Sequence, residues 1–312
     1  FCLPTRGHQD LIRRAASRAE RLYVVVASNP AKEYPFTTEY RLAAVRKLVG
    51  ELGLANVEVV PFPGLTISFY AQYGCDVCFR GIRNAKDRAE EELQRRVNGD
   101  LLEQFGLKAM RYAYLRAGKA LEDVSSTVVT ILAKLGTPVF RYASTEVWAA
   151  LAWRFRKVVA IGVTGGIACG ASSVAKALCG AVADNKGLCG RPLGAYHVDF
   201  DALLRAAYDS PVPAAQALRA GLAKRFGADV LGPDGRTVKR DRLKPHLFGP
   251  RANPADLQWV IAQTTPLVLA AYYETVGSLR DAVVIVEAKH AGFWPLALNR
   301  LVVVDTPDRE AF

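Results

Sequence analysis

A chain of 312 residues predicts two domains at about 150 residues each. Its 51% hydrophobic and 23% charged content is globular and excludes a disordered tail or a low-complexity scaffold, and six cysteines are too sparse for a disulfide framework. Lys and Arg outnumber Asp and Glu by 41 to 30, and the net +11 favours an anionic partner: nucleic acid, an anionic membrane or a phosphorylated metabolite. The basic residues are scattered, without the block of a nucleic-acid arm, so no nucleic-acid partner is expected. No apolar run approaches the ~18 residues of a membrane span. The chain opens on Phe1, and Arg6, His8 and Asp10 interrupt any leader-like core; this reads as a start inside a longer protein. Sparse cysteines point to a reducing compartment, the cytoplasm, with mitochondrial association left open.

An apolar stripe of Leu11, Ile12, Ala15 and Ala16 predicts a helix over His8–Arg21. The β-branched run Leu22–Ala27 predicts a strand, followed by a loop with Asn29, Pro30 and Pro35. A helix over Thr38–Leu52, a strand over Val57–Phe62, a helix over Ser68–Tyr73 and a strand over Val77–Arg80 follow. Ser144–Phe155 reads as the closing helix of this unit, with Ser144 as N-cap. Arg154, Arg156 and Lys157 make a short charged joint, so the domains are expected at 1–155 and 157–312. The second unit opens on strand Val158–Thr164, which runs into a Gly-rich turn and a helix. Further strands are expected at Ala195–Val198, Ala282–Val286 and Leu301–Asp305. The alternation predicts an α/β fold: two consecutive parallel-sheet domains.

Thr5-Arg6-Gly7-His8 lies where a loop enters the first helix. Glycine lets the backbone approach a phosphate, and a helix start offers unpaired N–H groups and a positive dipole end. A histidine there can bind a phosphate oxygen as charge develops, although a first-turn histidine is also an ordinary cap. Cys75-Asp76-Val77-Cys78 has redox or half-zinc spacing but no second pair nearby, and reads as ordinary strand cysteines.

The segments Phe1–Ile12, Ala27–Lys32 and Phe36–Arg41, with Val57–Val60, Arg80-Gly81-Ile82-Arg83 and Ser125-Ser126-Thr127, together resemble the phosphopantetheine adenylyltransferase family. The resemblance runs over about residues 1–150. It implies a Rossmann-like nucleotidyltransferase fold that makes dephospho-CoA and pyrophosphate from ATP and phosphopantetheine. It places Thr5, Gly7 and catalytic His8 at the ATP phosphates, Arg83 and Ser125–Thr127 on the nucleotide, and Arg80 beside the substrate phosphate. Four features depart from the family. Its first strand would precede Phe1, its Asp-Pro after that Phe reads Cys2-Leu3, its catalytic lysine aligns with Glu33 while Lys32 is adjacent and a one-residue shift could serve, and the basic residue closing the serine motif reads Thr130.

Val163–Ser173 follows a strand and opens a helix, the context of a P-loop. Gly165 and Gly170 match the pattern's end glycines, Gly166 lies between them, and Ser172, followed by Ser173, matches the Mg²⁺-side hydroxyl. The lysine position reads Ala171. Backbone N–H groups could still cradle phosphate. Lys176, a turn further on, points away from the loop in an ideal helix.

Together with Ile161–Ile167, Val198-Asp199-Phe200-Asp201, Phe226–Leu231, Asp234-Gly235, Arg240, Leu243 and Leu247-Phe248, this unit resembles dephospho-CoA kinase over about residues 158–306. The resemblance implies that Asp201 is the base for the ribose 3′-hydroxyl and that Asp199 lies near Mg²⁺ or substrate; two helix-capping carboxylates are the alternative. The family's His-Pro reads Thr265-Pro266, its later apolar run reads Glu287–Trp294, and its lid would fall largely beyond Phe312. His290 and His246 read as loop and surface residues.

An adenylyltransferase followed by a dephospho-CoA kinase is the order of the bifunctional CoA synthase family, here divergent and with both ends falling outside the chain. The resemblance implies adenylyl transfer and then 3′-phosphorylation, both with ATP and Mg²⁺, on phosphopantetheine and dephospho-CoA. Ala171, Glu33 and Thr130 leave open an alternative in which the folds persist and one or both activities are lost. Oligomeric state is not legible.

Overall fold

A computed structural model describes residues 3–28, 33–122, 124–166, 169–184, 193–250, 252–289 and 294–305. The chain divides into two compact units, Phe1–Ala133 with Val139–Trp148, and Lys134–Pro138 with Ala149–Phe312.

The first unit runs α1 (Arg6–Ala16), β1 (Leu22–Ala27), α2 (Thr38–Gly50), β2 (Val57–Phe62), α3 (Thr66–Tyr73), β3 (Val77–Gly81), α4 (Ala85–Gln104), β4 (Arg111–Leu115) and α5 (Ser126–Lys134). Its strands are parallel and pair as β1 with β2 and β3 with β4. Among the described residues no ladder joins β1 to β3; α1 packs on both pairs. Every second residue of β1 is buried, so Leu22, Val24 and Val26 meet Ile12, Ala15 and Ala16 of α1 and Val45 and Val49 of α2.

Helix α1 stops at Ala16, short of the expected Arg21. The cause lies outside the helix. Asn56 Nδ2 donates to the carbonyls of Ala16 and Ala19 at 3.0 and 2.8 Å, and these side-chain bonds replace further helical ones. Helix α4 and strand β4 were not expected from the sequence. The helix is charged almost all round and buries only Leu102 among the described residues, so it carries little apolar periodicity.

Helix α6 (Thr145–Arg156) holds the boundary between the units, and Ser144 Oγ accepts from Val147 N–H at 3.4 Å at its start. The second unit continues with β5 (Val158–Gly165), α7 (Ala171–Asp184), β6 (Gly194–Asp199), α8 (Phe200–Asp209), α9 (Pro213–Phe226), α10 (Arg240–Phe248), α11 (Pro254–Ser278), β7 (Ala282–Glu287) and β8 (Arg300–Val304). Its parallel sheet has the order β6-β7-β5-β8. Strand β7 lies inside the sheet and buries Ala282–Val286 without alternation, as a strand covered on both faces must. Helices α8–α11 build a second core around Leu218, Leu222, Leu243 and Val260.

Two buried arginines serve the helix ends. Arg219 Nη1 donates to the carbonyls of Tyr208 and Ser210 beyond α8. Arg156 Nη1 donates to the carbonyls of Val276, Gly277 and Leu279 at the end of α11. Both meet carbonyls at the helix's C-terminal end, the negative end of the dipole. Burial, with Arg280 nearby, pulls the Arg156 guanidinium down to about 10.

Candidate functional sites

In the first unit, Thr5 caps α1. Its Oγ1 accepts from His8 N–H at 3.3 Å, and its own N–H donates to His8 Nδ1 at 3.1 Å. Thr5 Oγ1 also lies 2.9 Å from Nδ1 and can donate there. A backbone N–H only donates, so Nδ1 must be the acceptor and the neutral ring carries its proton on Nε2. Burial is the largest of the causes that pull the imidazole down to about 4. His8 is therefore a neutral N–H donor at the positive end of a helix, a fit to a phosphate oxygen.

Gly7 is buried, and a Cβ there would sit 3.5 Å from the Leu121 carbonyl and 3.7 Å from Val124 Cβ. That is ordinary contact, so packing alone does not demand glycine. The loop after β4 is tied to α1 through Asp10, whose Oδ2 accepts from Gly118 N–H and from Arg14, each at 2.8 Å. Burial pushes the Asp10 carboxyl up, but these bonds and the nearby arginines outweigh it and hold it below its ordinary value.

Ser125, Ser126 and Thr127 stand at the start of α5. Ser125 Oγ accepts from Val128 N–H, and Ser126 Oγ donates to the Leu3 carbonyl at 3.0 Å, which brings this motif beside the Thr5–His8 turn. Thr127 is exposed, and Thr130 Oγ1 donates to the Ser126 carbonyl within the helix.

The two arginines of this site are held by α4. Arg80 makes a two-pronged pair with Glu91, at 2.5 and 2.9 Å, and donates to Gln94. Arg83 does the same with Asp87, at 2.7 and 3.1 Å. These acids lie on α4, which the sequence does not announce. Lys32 lies outside the described residues, and Glu33 is exposed.

In the second unit, β5 runs into the Gly-rich turn and α7 begins at Ala171. Gly165 has no room for a side chain: a Cβ would overlap Cys169 Sγ and lie 2.5 Å from the Val304 carbonyl of β8. Gly170 has φ +86°, which favours glycine, while a Cβ at Gly166 would meet nothing within 4 Å among the described residues. Ala171 carries no charge to the loop, and Lys176 is exposed on α7. Ile167 and Ala168 lie outside the described residues.

Ser172 Oγ donates to Glu287 Oε1, and His197 Nε2 lies 3.0 Å from Glu287 Oε2. The register puts Asp199, Glu287 and Val163 in a row across β6, β7 and β5 at the carboxyl ends of the strands, where open α/β sheets bind ligands. Ser173 is exposed on the first turn of α7. Asp199 caps α8: its Oδ1 accepts from Asp201 and Ala202 N–H, and its Oδ2 lies 3.6 Å from Arg205. Asp201 Oδ2 accepts from Lys289 Nζ at 3.1 Å.

Sequence reasoning assigned no role to Glu287, His197 or Lys289. The signal for Glu287 was present: an acidic residue closes an apolar strand that had to lie beside the P-loop strand. His197 and Lys289 become visible only once β6 and β7 are paired. His246 is exposed on α10, and His290 lies outside the described residues.

Among the described residues no helix is long and apolar enough to cross a membrane, and Cys75, Cys78, Cys169 and Cys179 are free. Residues 1–130 match the family model described as cytidylyltransferase-like, and residues 159–289 match that of dephospho-CoA kinase. Cytidylyltransferase-like and kinase domains fit the Rossmann-like and P-loop folds of the two units, and both use nucleotide, which implies ATP. The chain therefore joins a cytidylyltransferase-like domain to a dephospho-CoA kinase domain, the tandem order of the bifunctional CoA synthase family, and these domains indicate adenylyltransferase and dephospho-CoA kinase activities in coenzyme A biosynthesis.

Proposed function

We propose that residues 1–155 transfer the adenylyl group of ATP to 4′-phosphopantetheine, and that residues 157–312 phosphorylate the resulting dephospho-CoA on its ribose 3′-hydroxyl. The single observation that carries this is the order of the two family matches on one chain.

In the first reaction a phosphate oxygen of phosphopantetheine bonds to the α-phosphorus of ATP, the α–β bridging bond breaks, and pyrophosphate leaves. His8 donates from Nε2 to the phosphates, and Thr5 fixes the tautomer that makes this possible. The start of α1 and the Ser125–Thr127 turn hold the nucleotide with Arg83, while Arg80 faces the phosphopantetheine phosphate. Such a site works by positioning and charge stabilisation. Whether Lys32 adds the displaced cation is decided by its substitution.

In the second reaction the backbone of Gly165, Gly166 and Gly170 cradles phosphate, and Ser173 stands beside it on α7. Asp201 takes the 3′-hydroxyl proton, and Asp199 orients the turn that carries Asp201. The oxygen donors Ser172 and Glu287 already meet, a hard-ligand pair that fits Mg²⁺. Bound there, the cation would neutralise charge on the transferring phosphates. The inactive alternative rests on Ala171, Glu33 and Thr130 and is not supported over this reading. A reducing, cytoplasmic setting agrees with the free cysteines.

Product analysis by mass spectrometry tests the reading. The chain, with ATP and Mg²⁺, should make dephospho-CoA from phosphopantetheine and CoA from dephospho-CoA. Folded protein that makes neither product would overturn it.

A further inference from the structure

The P-loop holds Ala171 where a phosphate-bridging lysine is required, so a kinase built on this loop needs positive charge from another element. Lys176 lies five residues along α7, about 140° around the helix from Ala171. The end of β7 offers a better placed cation. Glu287 reaches Ser172 in the first turn of α7, and Ala288 N–H donates to the Val163 carbonyl at 3.1 Å. These two contacts hold the chain against the strand that enters the P-loop. Lys289 comes next, with Nζ 3.1 Å from Asp201 Oδ2.

The strand ends at Asp199, Glu287 and Val163 span two inter-strand steps, about 10 Å. Asp201 therefore stands across a narrow gap from the P-loop, and Lys289 follows β7, the strand that lies between β6 and β5. A base must touch the acceptor hydroxyl, and the attacked phosphorus lies within about 3.5 Å of that oxygen. An ammonium bonded to the base is thus within a lysine side chain's length of the phosphoryl group. The Lys289 side chain is 67% exposed, so among the described residues no close packing prevents that movement.

We propose that Lys289 is a catalytic residue that replaces the absent P-loop lysine. Before nucleotide binds, it pairs with Asp201. With ATP bound, it turns to the more highly charged β- and γ-phosphates and frees the Asp201 carboxylate. The 3′-oxygen then forms its bond to the γ-phosphorus, the β–γ bridging bond breaks, the hydroxyl proton passes to Asp201, and ADP leaves with its charge met by Lys289. This inference rests on the phosphoryl-transfer reading of the second unit.

The test uses Lys289→Ala, Ala171→Lys, the double variant and Lys176→Ala. CoA formation from dephospho-CoA is measured beside equilibrium binding of ATP and AMP and the thermal midpoint. Lys289→Ala should lower kcat by about 10²–10³-fold and reduce the preference for ATP over AMP. Ala171→Lys in that background should restore both, and Lys176→Ala should change neither. Turnover and ATP preference at parent level in Lys289→Ala would overturn the proposal. So would lost turnover with unchanged nucleotide binding and no rescue by Ala171→Lys, the pattern of a residue that only holds Asp201 in place. If the parent forms no CoA, the phosphoryl-transfer reading fails. The binding comparison still decides whether Lys289 meets the terminal phosphates.

Discussion

The turn that opens α1 and the turn that opens α7, the two proposed phosphate sites, are built from different materials. At α1 the donor is a side chain: His8, fixed in one tautomer by Thr5 and kept neutral by burial. The nearby arginines are committed to acids of α4, Arg80 to Glu91 and Arg83 to Asp87. At α7 the preparation lies in the backbone and the sheet. Gly165 is pressed against β8, Gly170 takes a left-handed conformation, and the charged groups arrive from β6 and β7. A helix start is a common anion site in both. One unit sets a neutral hydrogen-bond donor beside it; the other sets Glu287 against Ser172 and, as proposed, supplies its cation from Lys289 just past β7.

The comparison breaks most sharply at His8. His8→Ala should lower dephospho-CoA formation by about 10²–10³-fold and leave conversion of added dephospho-CoA to CoA at the parent rate. Equal loss of both reactions would show that His8 supports the fold instead.

Glu287→Gln should be the mirror image. It keeps the shape but weakens the oxygen pair with Ser172, so CoA formation should fall about 10–100-fold and need more Mg²⁺. Adenylyl transfer should be unaffected, and a Mg²⁺ titration of the second reaction measures the change.

Two adjacent glycines sharpen the claim that the second turn is a backbone device. Gly165→Ala forces a methyl group into Cys169 and the Val304 carbonyl and should destabilise the protein by about 1–3 kcal/mol. Gly166→Ala meets nothing among the described residues and should leave the midpoint of denaturant unfolding unchanged.

The neutral state of His8 has a sign that can be checked. Its folded value lies near 4 against an ordinary 6.5, so below pH 6.5 the unfolded chain binds the proton first. The contribution to stability is complete above pH 6.5 and is lost as pH falls through 4. An NMR titration should find the His8 midpoint near 4; a midpoint at 6.5 would remove the neutral-donor argument. The smallest effect belongs to Asp87→Ala, which releases Arg83 toward the nucleotide and should change the KM for ATP by no more than about twofold.

Strands were the most legible part of the chain. Leu22–Ala27 and Val57–Phe62 lie where the sequence puts them, because β-branched runs bounded by turns admit few other readings. Helix α4 was hidden by its charge. Helix α11 was not expected from the sequence; it carries Pro266 in its interior, and burial of Val260, Val268 and Tyr272 holds it as one helix. The glycine turns announced both sites. The partners that charge them did not, because Glu91 and Asp87 sit on the unseen helix, and Glu287 and Lys289 meet Ser172 and Asp201 only after distant strands pair.

The most direct measurement follows phosphopantetheine through the parent chain, His8→Ala and Glu287→Gln, with ATP and Mg²⁺ present and products separated by mass. The account predicts CoA from the parent, unreacted phosphopantetheine from His8→Ala, and accumulated dephospho-CoA from Glu287→Gln. Dephospho-CoA from His8→Ala at the parent rate, or undiminished CoA from Glu287→Gln, would contradict the assignment of one reaction to each unit.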